Sequence, residues 1–303
     1  MSFQVTVLGT TAAIPTKSKA PTAQVISVNQ SLLLIDCAEG TQTQMRKYGI
    51  KMQRIGAIFI SHMHGDHYFG LVGLINTMNL LKRKAPLHIY GPPELKKIIE
   101  LQFKAAKSYP VFNITFHDLE FDASRQIYAD SNITVTTIPL KHRIPCNGFL
   151  IEEKPKPRKI KPQEIERYGI PREKIKDIKS GSNYKTKTGE VIKNEVLTET
   201  PPTPLKYAYC SDTKYTEKII PIIENCDLLY HEATFTNREA QRAADTFHST
   251  AAQTAAIALK AHVKQLLLGH FSTRYKSTDT HLEEARAIFD NTVCAEQGET
   301  YVL

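Results

Sequence analysis

The chain has 303 residues, 41% hydrophobic and 23% charged, an ordinary globular composition with room for one large α/β unit or two modest domains. No window approaches the ~20 apolar residues of a membrane span, and the stretch Met1–Gly9 has no charged lead or long apolar run, so neither a membrane anchor nor a signal peptide is expected. A net charge of +8, from 39 Lys and Arg against 31 Asp and Glu, suits a polyanionic partner such as nucleic acid without requiring one.

In chain order, apolar runs at Gln4–Leu8, Ala23–Val28 and Ser31–Cys37 predict strands, followed by a helix at Gly40–Tyr48. A strand at Ala57–Ser61 leads into a helix at Tyr68–Leu81, then a strand at Leu87–Tyr90 and a helix at Pro93–Lys107. Strands follow at Ile133–Leu140 and Gly148–Glu152. The C-terminal part alternates strands Lys206–Ser211, Leu228–His231 and Gln265–Gly269 with helices Thr216–Asn225, Ser249–Lys260 and Thr280–Phe289. This alternation is the α/β signature, and two runs of strands without an internal repeat predict two sheets packed together under helices.

Residues 151–200 break the rhythm. Apolar periodicity is lost, and 13 Lys and Arg stand against 9 Asp and Glu, half of the net charge in a sixth of the chain. Loops beyond ~12–15 residues are commonly functional or disordered, so the segment reads as a flexible arm without a core face of its own. The cysteines Cys37, Cys146, Cys210, Cys226 and Cys294 are odd in number and scattered, which speaks against a disulfide framework or a cysteine-built zinc site and fits a reducing cytoplasm.

The densest chemical signal is Ser61-His62-Met63-His64-Gly65-Asp66-His67, at a strand-to-helix turn. Three imidazoles and a carboxylate in six residues suit Zn²⁺, bound by such donors at roughly 2.0–2.2 Å. Alternation at the strand end lets His62 and His64 reach one metal, while Asp66 and His67 begin the turn and can face a second. Further ligands must come from later strand ends. His142, Asp212 and His270 each cap an apolar run, where α/β proteins place their sites.

Together, His62, His64, Asp66, His67, His142, Asp212 and His270 resemble the ligand set of the metallo-β-lactamase superfamily. The resemblance implies a four-layer αββα sandwich and two Zn²⁺ ions per subunit. It assigns His62, His64 and His142 to one ion, Asp66, His67 and His270 to the other, and Asp212 to both. Other motifs resemble the ribonuclease Z branch: Leu8-Gly9-Thr10 with Pro15-Thr16, Leu34–Thr41, His231-Glu232-Ala233-Thr234-Phe235, Phe247-His248-Ser249-Thr250 and Gly269–Tyr275. Where that family often has Arg-Asn after Pro-Thr-Lys, this chain has Ser18-Lys19, and the Gly-Pro-rich signature of the family's arm is only partly present.

On this resemblance, residues 1–150 and 201–303 form the hydrolase domain and 151–200 an inserted flexible, tRNA-binding arm. The implied activity is cleavage of precursor tRNA at its 3′ end, by a cytoplasmic homodimer with no membrane partner. Asp66 is the expected general base, His248 the acid oriented by Glu232, and Arg274 and Thr273 the phosphate-binding residues. Asp36 and Glu39 are candidates to support the ligands through hydrogen bonds. Mn²⁺ or Fe²⁺ would suit the same donors, and a small-molecule hydrolase or a decayed nucleic-acid-binding module stays open as an alternative.

Overall fold

Both faces of the central strands are buried, and alternation along them builds the layers. In strand Lys206–Cys210, Tyr207 and Tyr209 join one apolar cluster while Ala208 and Cys210 join another. In Gln265–Gly269, Leu267 points one way and Leu266 and Leu268 the other. Such strands read as continuous apolar runs because helices cover one face and a second sheet the other.

The computed structural model describes residues 3–303 and contains two seven-stranded sheets. The first runs in the order Thr300–Val302, Phe3–Gly9, Ala23–Val28, Ser31–Ile35, Ala57–Phe59, Leu87–Gly91, Ile114–Asp118. The second runs Thr292–Cys294, Gln265–Gly269, Leu228–Glu232, Lys206–Cys210, Asn147–Glu153, Ile133–Pro139, Gln126–Ala129. Val5, Ile26, Leu33 and Phe59 from one sheet and Phe149, Tyr207, Tyr230 and Leu267 from the other form the shared middle layer. Leu34 and Ile58 on the outer face of the first sheet pack with Met45, Leu74 and Ile99 of helices Thr41–Lys47, Leu71–Leu80 and Pro93–Ala106. Leu229, Leu266 and Leu268 pack with Ile257 and Ala285 of helices Ala251–Lys260 and Asp279–Arg286 on the outer face of the second. The result is the four-layer αββα order. None of the five cysteines is in a disulfide, and among the described residues no helix is long and apolar enough to cross a membrane.

Several elements differ from expectation for local reasons. Strands Ile114–Asp118, Gln126–Ala129, Thr292–Cys294 and Thr300–Val302 escape the sequence pattern because each is a sheet edge, where partial exposure leaves no apolar run. The predicted helix Tyr68–Leu81 is split into Gly65–Tyr68 and Leu71–Leu80. The predicted helix Thr216–Asn225 is a 3₁₀ turn, Glu217–Ile219, followed by the short Ile220–Ile223, where Pro221 has no N–H to carry a longer helix.

Residues Glu153–Pro204 form a second compact unit, distinct by its contacts from residues 3–152 and 205–303. It contains helices Pro162–Tyr168 and Arg172–Lys179 and a small hairpin pairing Tyr184–Lys185 with Val191–Ile192. Contrary to the expectation of no core face, Ile170, Ile178, Tyr184, Ile192 and Leu197 converge on one cluster. Each short segment contributes one or two apolar residues, too few to register as a period. Asn194 ties the unit together, its side-chain amide donating to the carbonyls of Ile178 and Ser182 at 2.7 and 2.8 Å.

Gly70 separates the two halves of the split helix and is backed against the loop after Ser31–Ile35. Its N–H donates to the Cys37 carbonyl at 2.9 Å, and a Cβ there would lie 2.0 Å from the Ala38 carbonyl oxygen. Gly70→Ala is therefore expected to destabilise the fold by roughly 1–3 kcal/mol, as overpacking does, and to displace the 36–38 loop. Urea unfolding of the variant measures this; unchanged stability would mean that the loop yields freely.

Candidate metal centre and its surroundings

Ser31–Ile35 and Ala57–Phe59 are parallel neighbours in the first sheet, and Lys206–Cys210, Leu228–Glu232 and Gln265–Gly269 are parallel neighbours in the second. Their carboxyl ends carry Asp36, the Ser61–His67 turn, Asp212, Glu232 and His270, and His142 follows strand Ile133–Pro139. Sites in α/β folds form at such ends. Three of these residues leave their strands through a left-handed backbone: Asp36 at φ 54°, Asp212 at φ 43° and His270 at φ 57°.

Asp212 stands at the middle. Its Oδ2 is 3.6 Å from His62 Nε2 and 3.7 Å from His142 Nε2, and His64 Nδ1 lies 3.0 and 3.1 Å from the same two nitrogens. Its Oδ1 is 3.3 Å from His67 Nε2 and 3.1 Å from His270 Nε2, with Asp66 Oδ2 at 3.5 and 3.4 Å from those nitrogens. Four donors arranged tetrahedrally at ~2.0–2.1 Å from an ion stand about 3.3–3.4 Å apart, the spacing seen in both groups. His67 Nε2 is buried without a hydrogen-bond partner, as a nitrogen reserved for a metal would be. The donors therefore fit metal ions, and the seven residues singled out in the sequence are brought together.

The electrostatics agree. Burial, reinforced by neighbouring imidazoles, holds His62 well below the ordinary histidine range, and burial also lowers His64 and His142, so their lone pairs are available. Asp66 and Asp212 stay ionised although burial opposes it, because His67 and His270 lie against them. His67 is raised despite its burial, since Asp212, Asp36 and Asp66 surround it; a metal cation among those oxygens competes with its second proton.

Around the donors lies a set of orienting contacts. Asp36 Oδ2 is 2.7 Å from His67 Nδ1 and accepts from the hydroxyls of Tyr209 and Ser61 at 2.6 and 3.0 Å, while Oδ1 accepts from the Ser61 N–H at 2.8 Å. His142 Nδ1 is 3.0 Å from the Phe247 carbonyl, and the Cys146 thiol lies 3.6 Å from His62 Nδ1. The Ala13 N–H donates to Asp66 Oδ2 at 2.7 Å. The proposed supporting role of Asp36 thus has a geometry, whereas Glu39 is exposed on the loop beyond it.

His248 and Glu232 form an adjacent pair. His248 Nδ1 is 2.8 Å from Glu232 Oε1, and its ring centroid is 5.2 Å from that of His142 and 5.6 Å from that of His270. Glu232 is fully buried yet held ionised, against its burial, by His248 and by the N–H groups of Thr213 and Thr234 at 2.9 and 3.0 Å. Burial works against the His248 cation as well, but the Glu232 carboxylate outweighs it and raises the imidazole to about 9. His248 does not cap the following helix; Thr250 does, in a capping box with Gln253.

The remaining candidates sit further out. Arg274 is ion-paired with Glu239 at 3.2 Å and lies over the Phe235 ring, and Thr273 is exposed beside a hydroxyl-lined depression with Thr10, Ser272 and Lys19. Among the other histidines, His231 is buried against Thr254, His88 and His117 contact each other, His262 is exposed and His281 is buried between Phe271 and Tyr275. Sequence reasoning assigned no part to Thr213, Thr234, Tyr209 or Cys146; of these only Thr234 lay inside a motif already singled out.

Residues 3–155 match the family model described as Anti-Pycsar protein Apyc1, a span holding six of the first sheet's seven strands, three of the second's and the histidine-rich turn. Over nearly the whole chain the likeness is to other proteins. The ribonuclease Z of Bacteroides fragilis is 45% identical across 98% of this chain and 97% of its own, and that of Porphyromonas gingivalis 41% across 98% and 97%. The chain belongs to the ribonuclease Z family. Among solved structures, human tRNase Z, short form, is similar to this family member with a TM-score of 0.72 and 27% identity over 98% of each chain. The metallo-beta-lactamase fold protein YhfI of Bacillus subtilis, at 20% identity and a TM-score of 0.69 over 100% of each chain, shares the fold. Fold and donor cluster together make this a metal-binding centre.

Asp36→Asn would keep the shape but lose the charge that orients His67. Loss of such a contact typically weakens metal binding by about 10–100-fold. Chelator competition should show that loss, and unchanged affinity would leave Asp36 with a purely structural part.

Proposed function

We propose that this chain is a zinc-dependent endoribonuclease that cuts precursor tRNA at its 3′ end, leaving a 3′-hydroxyl on the tRNA and a 5′-phosphate on the trailer. Family membership supports the activity. The observation that carries it to this chain's own chemistry is the His248–Glu232 pair beside a complete donor set, since a phosphodiester cleavage needs a proton donor for its leaving oxygen.

In this reading His62, His64 and His142 would hold one zinc and Asp66, His67 and His270 a second, with Asp212 available to both. When bound, the ions supply Lewis acidity, acidifying water and neutralising phosphate charge. Asp66, ionised and anchored by the Ala13 N–H, accepts the proton of the attacking water. His248, kept cationic by Glu232, gives a proton to the departing 3′-oxygen. Arg274 and Thr273 bind phosphate oxygens near the site; Arg274 leaves Glu239 to do so, and its planar fork suits the task.

The Lys- and Arg-rich segment 151–200 serves as the tRNA-gripping arm, through phosphate contacts that read shape and backbone rather than sequence. We further propose that the chain works as a cytoplasmic homodimer.

The test is incubation of zinc-loaded protein with a 3′-extended precursor tRNA. A single cut just after the discriminator nucleotide, abolished by a chelator and restored by Zn²⁺, is expected; no cut would overturn the proposal. His248→Ala should keep its metal and lose about 10²–10⁴-fold in rate, whereas His64→Ala should lose metal. Because the acid acts as a cation, the rate should fall as pH rises through the His248 pKa. Glu232→Gln removes what raises that pKa, so the alkaline limb should move down toward the ordinary histidine value of about 6.5. A pH–rate profile with an unmoved limb would sink the assignment of His248.

A further inference from the structure

The hydroxyl of Thr234 sits between the metal donors and the His248–Glu232 pair. Its Oγ1 is 2.7 Å from Glu232 Oε2, 3.0 Å from His270 Nδ1 and 3.3 Å from His248 Nδ1. Thr234 is 3% exposed, and its backbone is pinned: the N–H donates to Glu232 Oε2 at 3.0 Å, and the carbonyl accepts from the Ser272 N–H at 3.2 Å. The residue before it, Ala233, donates to the Gly269 carbonyl at 2.8 Å, so the hydroxyl is held in register with the end of the strand that carries His270.

A hydroxyl has one proton and two lone pairs. An ionised carboxylate only accepts, so the Thr234 proton goes to Glu232. The oxygen can then serve His270 only as an acceptor, which places the His270 proton on Nδ1. That choice leaves the His270 Nε2 lone pair facing Asp66 Oδ2 and Asp212 Oδ1 at 3.4 and 3.1 Å. His248 Nδ1 directs its proton to the nearer Glu232 Oε1 at 2.8 Å and passes the same hydroxyl at the longer distance. One side chain thus sets the tautomer of a metal donor and anchors the carboxylate that orients the acid.

We propose that Thr234 is a positioning residue that locks the proton of His270 onto Nδ1, presenting its Nε2 to one of the two metal positions, and holds Glu232 in place for His248. The inference rests on the two-metal reading above but does not need the RNA substrate. It is specific to the position shared by Asp66, His67 and His270, because the hydroxyl reaches none of His62, His64 or His142.

The test is a metal titration by chelator competition on the full chain, comparing Thr234→Val, which keeps the shape and removes the hydroxyl, with Thr234→Ser, which keeps the hydroxyl. Thr234→Val should weaken one metal equivalent by about 10–100-fold and leave the other near wild type; Thr234→Ser should restore it. With precursor tRNA, kcat should fall in the valine variant with little change in KM. Two wild-type affinities in Thr234→Val would overturn the proposal. Equal weakening of both equivalents, or failure of the serine variant to recover, would overturn it too, since that is the behaviour of a merely structural defect. If the wild-type protein cut no tRNA, the metal titration would still decide the role of Thr234 separately from the activity.

Discussion

The carboxylate of Asp212 is buried and ionised, and its two oxygens meet two different sets of imidazoles. Oδ2 faces His62 and His142, and Oδ1 faces His67 and His270. A buried charge of this kind is costly without compensation, and the compensation must be positive. The surrounding histidines supply part of it, and metal cations bound by the donor cluster would supply the rest. Donor spacing and the unpartnered His67 nitrogen fit that requirement, while burial, acting against the pull of Asp212, lowers His62, His64 and His142 and keeps their lone pairs available.

The fold meets the requirement by bringing strand ends from two sheets to one place. Asp36 and the Ser61–His67 turn come from the first sheet, and His142, Asp212, Glu232 and His270 from the second. Left-handed backbone at a non-glycine residue costs on the order of 1–3 kcal/mol, and Asp36, Asp212 and His270 all adopt it where the chain turns out of its strand. Surrounding contacts maintain that strain: Asp36 is held by Tyr209 and Ser61, and Asp212 accepts from the Ser211 hydroxyl at 2.9 Å. The αββα stack serves as a rigid frame for a set of strained corners, where strain coincides with chemistry.

Much of this was legible in the sequence because the site is built from local, dense signals. His62, His64, Asp66 and His67 announce themselves within six residues, and His142, Asp212 and His270 each end an apolar run. The central strands were readable since burial on both faces leaves long apolar stretches. The four edge strands were not, because partial exposure dilutes their pattern. The core of Glu153–Pro204 was hidden for a different reason: Ile170, Ile178, Tyr184, Ile192 and Leu197 lie in five short segments with no common period. Thr213 and Tyr209 escaped notice because their contacts, a backbone N–H on Glu232 and a hydroxyl on Asp36, depend on tertiary placement that no spacing encodes.

On the two-metal reading proposed above, Asp212 is shared between two metal ions, one at each of its oxygens. Anomalous X-ray diffraction at the zinc edge, from crystals of the zinc-loaded protein, tests it most directly. Two peaks about 3.5–4 Å apart are expected, as in two-metal hydrolases, with Asp212 Oδ2 beside one and Oδ1 beside the other. A single peak, or two peaks with Asp212 touching only one of them, would contradict it.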